Sequence, residues 1–243
     1  MKKKIRIYSD RGVSLFSLKC LINELTLLKL DIDIISAKQV IEDDWQDKTS
    51  LFIMPGGRDL MYLRKLKDKG CKKIREFVEE GGSYLGICAG AYFGAEAVEF
   101  EKGRELEVLG KRDLNFVKAK AIGPAYREPK FSYKNHEGSK AALLEYKSKD
   151  FKCLSSVYFK GGCYFEGDSK LDVIGKYSDL NKAAIVKSKV KKGKAILSGV
   201  HIECSADNIF DIDDNLSLMK EEIARTENIR KKIFIDILEN LLT

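Results

Sequence analysis

The chain has 243 residues, of which 44% are hydrophobic, enough to bury a sizeable core in one large α/β domain or two small ones. No apolar stretch approaches the ~20 residues that span a bilayer, and the run behind the basic start MKKKIRIYSDRG is too short for a signal peptide, so we expect a cytoplasmic protein without a membrane partner. The net charge of +7 lies largely in lysine-rich turns without interleaved aromatic residues, which argues against a nucleic-acid partner.

The first half of the chain alternates strand-like and helix-like segments. Apolar residues predict strands at KIRIYS, DIDIIS, TSLFIM and SYLGI. Helical spacing predicts helices in SLFSLKCLINELTLLKL, from about residue 69 to 80, and in AGAYFGAEAVEF. Ser14 is the expected N-cap of the first helix. This order of elements predicts an α/β fold with a mostly parallel sheet flanked by helices.

The pattern changes beyond about residue 100. Residues 100–150 hold two strand-like pieces, LEVLG and LNFVKAKAIG, and the polar loop REPKFSYKNHEGSK. Four strand-like segments follow, SSVYFKGGCYF, LDVIGKYS, KAAIVKSKV and KAILSGVHIE, and their tight turns predict antiparallel hairpins added to the sheet. Residues 216–242 again have helical spacing. Because no linker, repeat or low-complexity tract interrupts the chain, we predict a single domain over residues 1–243.

Cys88 differs from the other five cysteines in its neighbours. The six show no Cys-x-x-Cys pair, and most free cysteines are small buried hydrophobic residues. Cys88, however, lies in GICAG, which fits the G-x-nucleophile-x-G elbow, a strand-to-helix turn that strains the nucleophile's backbone and admits only small neighbours. The N–H groups of the following helix favour the thiolate. The alternative is a glycine-rich strand–helix junction with an inert cysteine.

The two histidines of the chain stand in different contexts. His201 follows the strand KAILSGV and precedes Glu203 by two positions, so both side chains face the same way in an extended segment. Glu203 would then orient His201 while His201 accepts the Cys88 proton; the alternative is a histidine paired with a backbone carbonyl. His136, in the polar stretch YKNHEGSK, is the weaker candidate for the base. With so few histidines and no ligand pair on one helix face, we expect no metal.

An oxyanion hole requires two donors close to the carbonyl under attack. The backbone N–H of Ala89 follows the nucleophile directly, and Gly57 ends the strand TSLFIM, where glycine lets the backbone approach a ligand closely. Ligands of open α/β sheets bind at the carboxyl ends of the strands, so we expect these groups to meet Cys88 there. The alternative for Pro-Gly-Gly is an ordinary turn.

These motifs, in the order PGG, G-x-C-x-G and H-x-E, resemble the class I glutamine amidotransferase superfamily. More narrowly, MPGGRDLMYL, GGSYLGICAGAYFGA, YFKGGCYF and LSGVHIE resemble the amidotransferase-like domain at the N-terminus of eukaryotic biotin–protein ligases, which also occurs as free-standing bacterial proteins. The resemblance runs from the first strand to the last helix. It implies a flavodoxin-like α/β fold, with Cys88 as nucleophile, His201 as base, Glu203 as its orienter, and Gly57 and Ala89 at the oxyanion positions.

Two departures from the family pattern bear on function. Members that use glutamine typically carry a His-Gln pair after the elbow, where this chain has Ala91-Tyr92, so glutamine is in doubt as the substrate. The chain also lacks the Gly-Arg-Gly-Arg run with which the biotin ligase catalytic domain binds adenylate, so by itself it is not the ligase. No cofactor is therefore expected.

We expect the substrate pocket to be shaped by residues beside the three motifs. Arg58 would bind a substrate carboxylate, or alternatively form a surface ion pair with Asp59 or another neighbour. The residues expected to contact substrate are Gly56, Arg58, Tyr92 and Gly162.

Three functions remain open on the sequence. The first is a Cys-His-Glu amidohydrolase or amidotransferase-like enzyme that cleaves a small amide through a thioester. The second is a non-catalytic module that binds a metabolite or docks on a biotin ligase or another synthetase, since the glutamine-holding pair and an acceptor domain are missing. The third and weakest is a thiol peptidase, since related folds include proteases.

Overall fold

A computed structural model describes residues 4–209 and 214–243 of the protein. The first half alternates strands and helices, as predicted. Ser14 caps the first helix, accepting a hydrogen bond from the Ser17 N–H. The elements of this half are β1 (Lys4–Tyr8), α1 (Leu15–Leu27), β2 (Ile32–Ile35), α2 (Ala37–Glu42), β3 (Thr49–Met54), α3 (Asp59–Glu79), β4 (Ser83–Ile87) and α4 (Ala89–Gly94).

The second half is built mainly of strands and ends in two helices. The elements are β5 (Ala95–Phe100), β6 (Val108–Lys111), β7 (Val117–Gly123), β8 (Ser139–Lys147), β9 (Lys152–Lys160), β10 (Tyr164–Gly167), β11 (Asp172–Tyr177), β12 (Lys182–Val190), β13 (Gly193–Ser198), α5 (Asp214–Arg225) and α6 (Glu227–Leu242). A lysine-rich turn joins β12 to β13, and these two strands pair antiparallel.

All of these strands join in one mixed sheet. Its main path runs β2-β1-β3-β4-β13-β12-β10-β7-β5-β6, with β11, β8 and β9 attached beside β12. The five strands from β2 to β13 are mutually parallel, and most later pairings are antiparallel. The predicted α/β architecture, a parallel sheet flanked by helices with added antiparallel hairpins, is confirmed. The parallel part matters for the site because it brings the carboxyl ends of β3, β4 and β13 side by side.

Helices cover both faces of the parallel part, and β3 and β4 are accordingly apolar along nearly their whole length. On one face, α1 and α6 pack against the sheet through residues such as Leu21, Leu25 and Ile237. On the other, α2, α3 and α4 do so through Val40, Ile74 and other buried residues. Among the described helices, none is both long and apolar enough to cross a membrane.

Two predicted helix boundaries are wrong. The helix predicted in AGAYFGAEAVEF ends at Gly94, and Ala95–Phe100 forms β5, because this segment pairs with β6 and β7 and buries Ala95, Val98 and Phe100. The helix expected from about residue 69 to 80 begins at Asp59, immediately after the Pro-Gly-Gly turn. Its predicted start lies just past Lys67, where the backbone leaves helical geometry.

Candidate active site

Cys88 stands on a strained turn between β4 and α4. Its φ of 51° and ψ of −105° are unusual for a residue with a side chain, as the elbow requires. A Cβ on Gly86 would lie 2.3 Å from the Gly90 carbonyl oxygen, and one on Gly90 would lie 2.0 Å from the Met54 carbonyl oxygen. Larger residues would therefore force the turn apart, which explains the small side chains around this cysteine.

Three strand ends meet at one cavity of about 690 Å³. Gly57 reaches it from the end of β3, Cys88 from β4 and His201 from the segment after β13. These strands are adjacent and parallel, so their carboxyl ends lie together. The segments that the sequence singled out are thus close in space.

The imidazole of His201 is held by a carboxylate two residues away. Nδ1 of His201 lies 2.8 Å from Oε1 of Glu203, and both side chains are buried. Burial disfavours the charged imidazolium, but the negative charges of Glu203 and of a Cys88 thiolate outweigh it and raise the pKa of His201 well above its usual value. The imidazole therefore interacts electrostatically with both the carboxylate and the thiol.

The Cys88 sulfur is oriented by the backbone of β9. Its thiol donates a weak hydrogen bond to the Lys160 carbonyl oxygen at 3.6 Å. The same strand fixes His201, whose N–H donates to the Tyr158 carbonyl at 2.9 Å. Strand β9 thus contacts both predicted reacting residues.

The backbone N–H groups of the cavity-lining residues Gly57 and Ala89 have no protein acceptor among the described residues. The N–H groups of the residues on either side of Gly57 and Ala89 are all hydrogen-bonded. The Gly90 N–H donates to the Pro55 carbonyl at 3.1 Å, and the Arg58 N–H donates to the Gly12 carbonyl at 2.9 Å. The two donors expected at the oxyanion positions are therefore available to a ligand.

The residues predicted to contact substrate fall into two groups. Arg58 and Tyr92 line the cavity; the Arg58 guanidinium lies 4.1 Å from the centre of the Tyr133 ring. The alternative ion pair with Asp59 is not seen, since Asp59 pairs with Arg112 at 2.6 Å.

Gly56 and Gly162 lie behind the cavity wall. A Cβ on Gly56 would lie 2.7 Å from Cε1 of His201, so this glycine packs directly against the imidazole. A Cβ on Gly162 would lie 1.7 Å from the Gly199 carbonyl oxygen, and it is the preceding Gly161 that lines the cavity. Gly162 therefore packs against the segment that follows β13 and lies outside the cavity lining.

Several cavity residues carry no signal in the sequence. His136, the weaker candidate for the base, lines the same cavity from the loop that precedes β8. Besides the predicted Tyr92, aromatic rings from separate segments form much of the wall: Phe16, Phe100, Phe131, Tyr133 and Tyr158. Only the fold brings these rings together, so spacing along the chain could not reveal them.

One group in the described chain has the donor atoms for a metal: His201, Glu203 and Cys204, whose ligand atoms lie within 4.8 Å of one another. These donors already have protein partners. Glu203 bonds His201, and the Cys204 sulfur lies 2.9 Å from that of Cys20. All three side chains are buried, and we assign no metal to them.

The chain has a glutamine amidotransferase-like fold. A crystal structure of a glutamine amidotransferase from Thermotoga maritima aligns with 100% of this chain over 99% of its own, with a TM-score of 0.64 at 15% identity, a similarity that shows the fold alone. The family model described as "Biotin-protein ligase, N terminal" matches residues 3–242, and the chain belongs to this family.

Two curated relatives match this chain, one over nearly its whole length and one over a minor part of its length. A protein of Chlamydia muridarum (strain MoPn / Nigg), described as uncharacterized, is 33% identical over 99% of this chain and 98% of its own length. The biotin–protein ligase of Schizosaccharomyces pombe is 35% identical over 71% of this chain, but the match spans only 28% of that ligase.

Proposed function

We propose that the protein is a thiol amidohydrolase that cleaves a small amide through a thioester on Cys88. The Cys88 sulfur attacks the carbonyl carbon, and the proton of the thiol reaches the leaving amine through His201. Water, deprotonated by His201, then attacks the thioester, releasing the carboxylic acid and restoring the thiol. The observation that supports this most is the pairing of His201 with Glu203 at a cavity that Cys88 also lines, where the N–H groups of Gly57 and Ala89 have no protein acceptor among the described residues.

The other residues have roles that follow from their positions. Glu203 keeps the proton of His201 on Nδ1, which leaves Nε2 to exchange a proton with Cys88. The N–H groups of Gly57 and Ala89 would stabilise the negative charge on the carbonyl oxygen. Gly56 leaves room for the imidazole against the Pro-Gly-Gly turn.

The cavity favours a substrate larger than a free amino acid. A volume of about 690 Å³ is in the range that holds a drug-sized ligand, and aromatic rings line much of it. Arg58 at its rim has no carboxylate partner among the described residues and would bind an anionic group of the substrate. Tyr92, which donates to the Gly161 carbonyl at 3.1 Å, stands where glutamine-using relatives carry a glutamine-holding residue.

Ammonia release from a panel of primary amides tests the reaction. We expect release by the wild type and by Cys153→Ser, a control at a partly exposed cysteine, and loss of at least about 100-fold in Cys88→Ser and His201→Gln. In parallel, iodoacetamide should label Cys88 faster than Cys153 near neutral pH. Equal labelling of the two, or release that survives Cys88→Ser, would contradict the mechanism.

Matched probes test the substrate class. Glutamine, N-benzoyl-L-glutamine and the α-methyl ester of the latter share one primary amide but differ in ring and charge. We expect N-benzoyl-L-glutamine to protect Cys88 from iodoacetamide best, and Arg58→Gln to remove its advantage over the ester, about tenfold for one charge-assisted hydrogen bond. Arg64→Gln, on the exposed side of α3, is the control. Equal protection by glutamine would rule out a preference for aromatic, anionic amides.

A second candidate is a module that docks on a biotin ligase or another synthetase without turnover. It is favoured by the relation to the Schizosaccharomyces pombe ligase, in which the matching region is a minor part of a longer protein. Stable co-purification with a biotin ligase that Cys88→Ala leaves unchanged, together with no ammonia release from any amide, would favour this candidate over the enzyme.

A further inference from the structure

Ser17 connects three segments of the site through one hydroxyl group. It lies in the first turn of α1 and is fully buried. The Gly56 N–H lies 3.0 Å from its Oγ, and its Oγ lies 2.8 Å from Oε1 of Glu203. The helix, the Pro-Gly-Gly turn and the His-Ile-Glu segment therefore share a single buried serine.

The chemistry of the partners determines the direction of each hydrogen bond. A backbone N–H can only donate, so Ser17 Oγ accepts from Gly56 and its one proton is free for Glu203. A carboxylate can only accept hydrogen bonds, so Oε1 accepts one from the Ser17 hydroxyl and one from Nδ1–H of His201. The other oxygen of Glu203 is buried and has no partner in the described chain. Ser17 thus supplies one of the two hydrogen bonds that orient this carboxylate.

The same hydroxyl acts on the opposite wall of the site. Ser17 Oγ accepts a hydrogen bond from the Gly56 N–H, and the Gly12 carbonyl accepts one from the Arg58 N–H. The N–H of Gly57 is consequently the one donor of this turn that is free to face the cavity. The Ser14 N–H holds the Gly56 carbonyl at 2.8 Å, so the start of α1 fixes the peptide groups on both sides of Gly56.

We propose that Ser17 is a positioning residue that sets the tautomer of His201 through Glu203 and, at the same time, holds the Gly57 N–H toward the cavity. The inference rests on the proposed thiol chemistry for its purpose, but the arrangement it describes is measurable without any substrate. Ser17 touches neither the reacting sulfur nor the cavity, so its effect passes through its two partners.

Nitrogen-15 NMR of labelled histidine tests the first half. The chain has two histidines, and His136→Gln assigns their signals. At a pH where the imidazole is neutral, we expect the wild-type His201 to carry its proton on Nδ1. In Ser17→Ala, and in Ser17→Cys with its weaker donor, the nitrogen shifts should move toward a mixture of tautomers. Ser155→Ala, at another fully buried serine that is outside the cavity lining and bonds Thr226, should leave them unchanged.

Alkylation of Cys88 gives a second reading of the same variants. We expect Ser17→Ala to move the pH profile of iodoacetamide labelling to higher pH and to slow labelling near neutrality by about tenfold, the size of one hydrogen bond to a charged group. Urea unfolding, followed by the fluorescence of Trp45, separates a purely structural role. Lower stability with unchanged His201 shifts and an unchanged labelling profile would overturn the proposal.

Amide hydrogen exchange in the unaltered protein tests the second half without a variant that must fold. The Gly56 N–H, bonded to Ser17, should exchange slowly, and that of Gly57 should exchange faster; equal rates would overturn this half. The outcomes also separate this proposal from the proposed function. If Ser17→Ala changes the tautomer of His201 but no amide is cleaved by the wild type, Ser17 keeps its positioning role and the proposed enzyme is rejected. If amides are cleaved but Ser17→Ala leaves the tautomer unchanged, the enzyme stands and the role of Ser17 is rejected.

Discussion

His201 binds its proton more tightly in the folded protein than in the unfolded chain, because Glu203 and Cys88 favour the imidazolium despite its burial. A group whose pKa is raised on folding stabilises the fold at pH below its unfolded value, about 6.5, and this contribution is lost as pH rises through the folded pKa. We therefore expect the unfolding free energy of the wild type to fall more steeply above about pH 6.5 than that of His201→Gln, by about 1.4 kcal/mol for each tenfold difference in proton affinity.

Urea unfolding at a series of pH values, monitored through the single tryptophan, measures this difference. His136→Gln is the matched control, since its side chain is exposed and its curve should follow that of the wild type. Parallel curves for the wild type and His201→Gln would show that the interactions seen around the imidazole do not alter its proton affinity.

Local sequence predicts the residues of this site unevenly. Cys88 is marked by the glycines beside it, and His201 and Glu203 are marked by their two-residue spacing at a strand end, so patterns within a few positions suffice. Ser17 carries no such mark, because its partners Gly56 and Glu203 lie 39 and 186 positions away. Residues whose role depends on contacts across the fold cannot be recognised from spacing alone.

At the scale of elements, α3 contains a break that local substitution can test. Lys67 has φ 52° and ψ −177° inside an otherwise helical segment, a conformation that is essentially reserved for glycine, and its side chain is exposed. We expect Lys67→Gly to raise the unfolding free energy by about 1 kcal/mol, since relief of strain outweighs the greater freedom of glycine in the unfolded chain.

The matched control is Lys69→Gly, two residues further along the same helix and equally exposed but helical in backbone geometry. This change should lower the unfolding free energy by about 1 kcal/mol, because glycine is a poor helix former. Opposite signs for the two lysines in urea unfolding would confirm the break; a loss at both positions would show that the helix is continuous at Lys67.

Strand β5, which was predicted to be part of a helix, shows where local propensity fails to predict the structure. AEAVEF is rich in alanine and glutamate, which favour helices, and it directly continues α4. It nevertheless forms β5, because pairing with β6 and β7 gives its backbone partners on both sides and buries Ala95, Val98 and Phe100. The first four parallel strands were predictable because apolar residues recur within each short segment, in runs or in alternation; β5 depends on pairing with later segments. That residues 1–243 form one domain stays a prediction.

Across the whole molecule, Arg230 ties the C-terminal helix to the site. It is fully buried in α6 and donates to the Ile202 carbonyl at 2.6 Å, between the two predicted catalytic residues of that segment. It also pairs with Glu24 of α1 at 3.0 Å and with Glu227 at 2.6 Å. One guanidinium therefore joins the first helix, the last helix and the loop that holds the imidazole.

Removing this cation should destabilise the protein strongly, because the carboxylate of Glu24 would remain buried without a partner. We expect Arg230→Met to cost about 3–5 kcal/mol in urea unfolding, and the double change Arg230→Met with Glu24→Leu to recover much of the loss, since an apolar pair replaces the buried charges. Arg64→Met, at an exposed arginine, should change stability by no more than about 0.5 kcal/mol. If the double variant were as unstable as the single one, the loss of stability would come from the broken hydrogen bond to the Ile202 carbonyl and not from the unpaired Glu24 carboxylate. The ion pair between Glu24 and Arg230 would then add little to the packing of the first helix against the last.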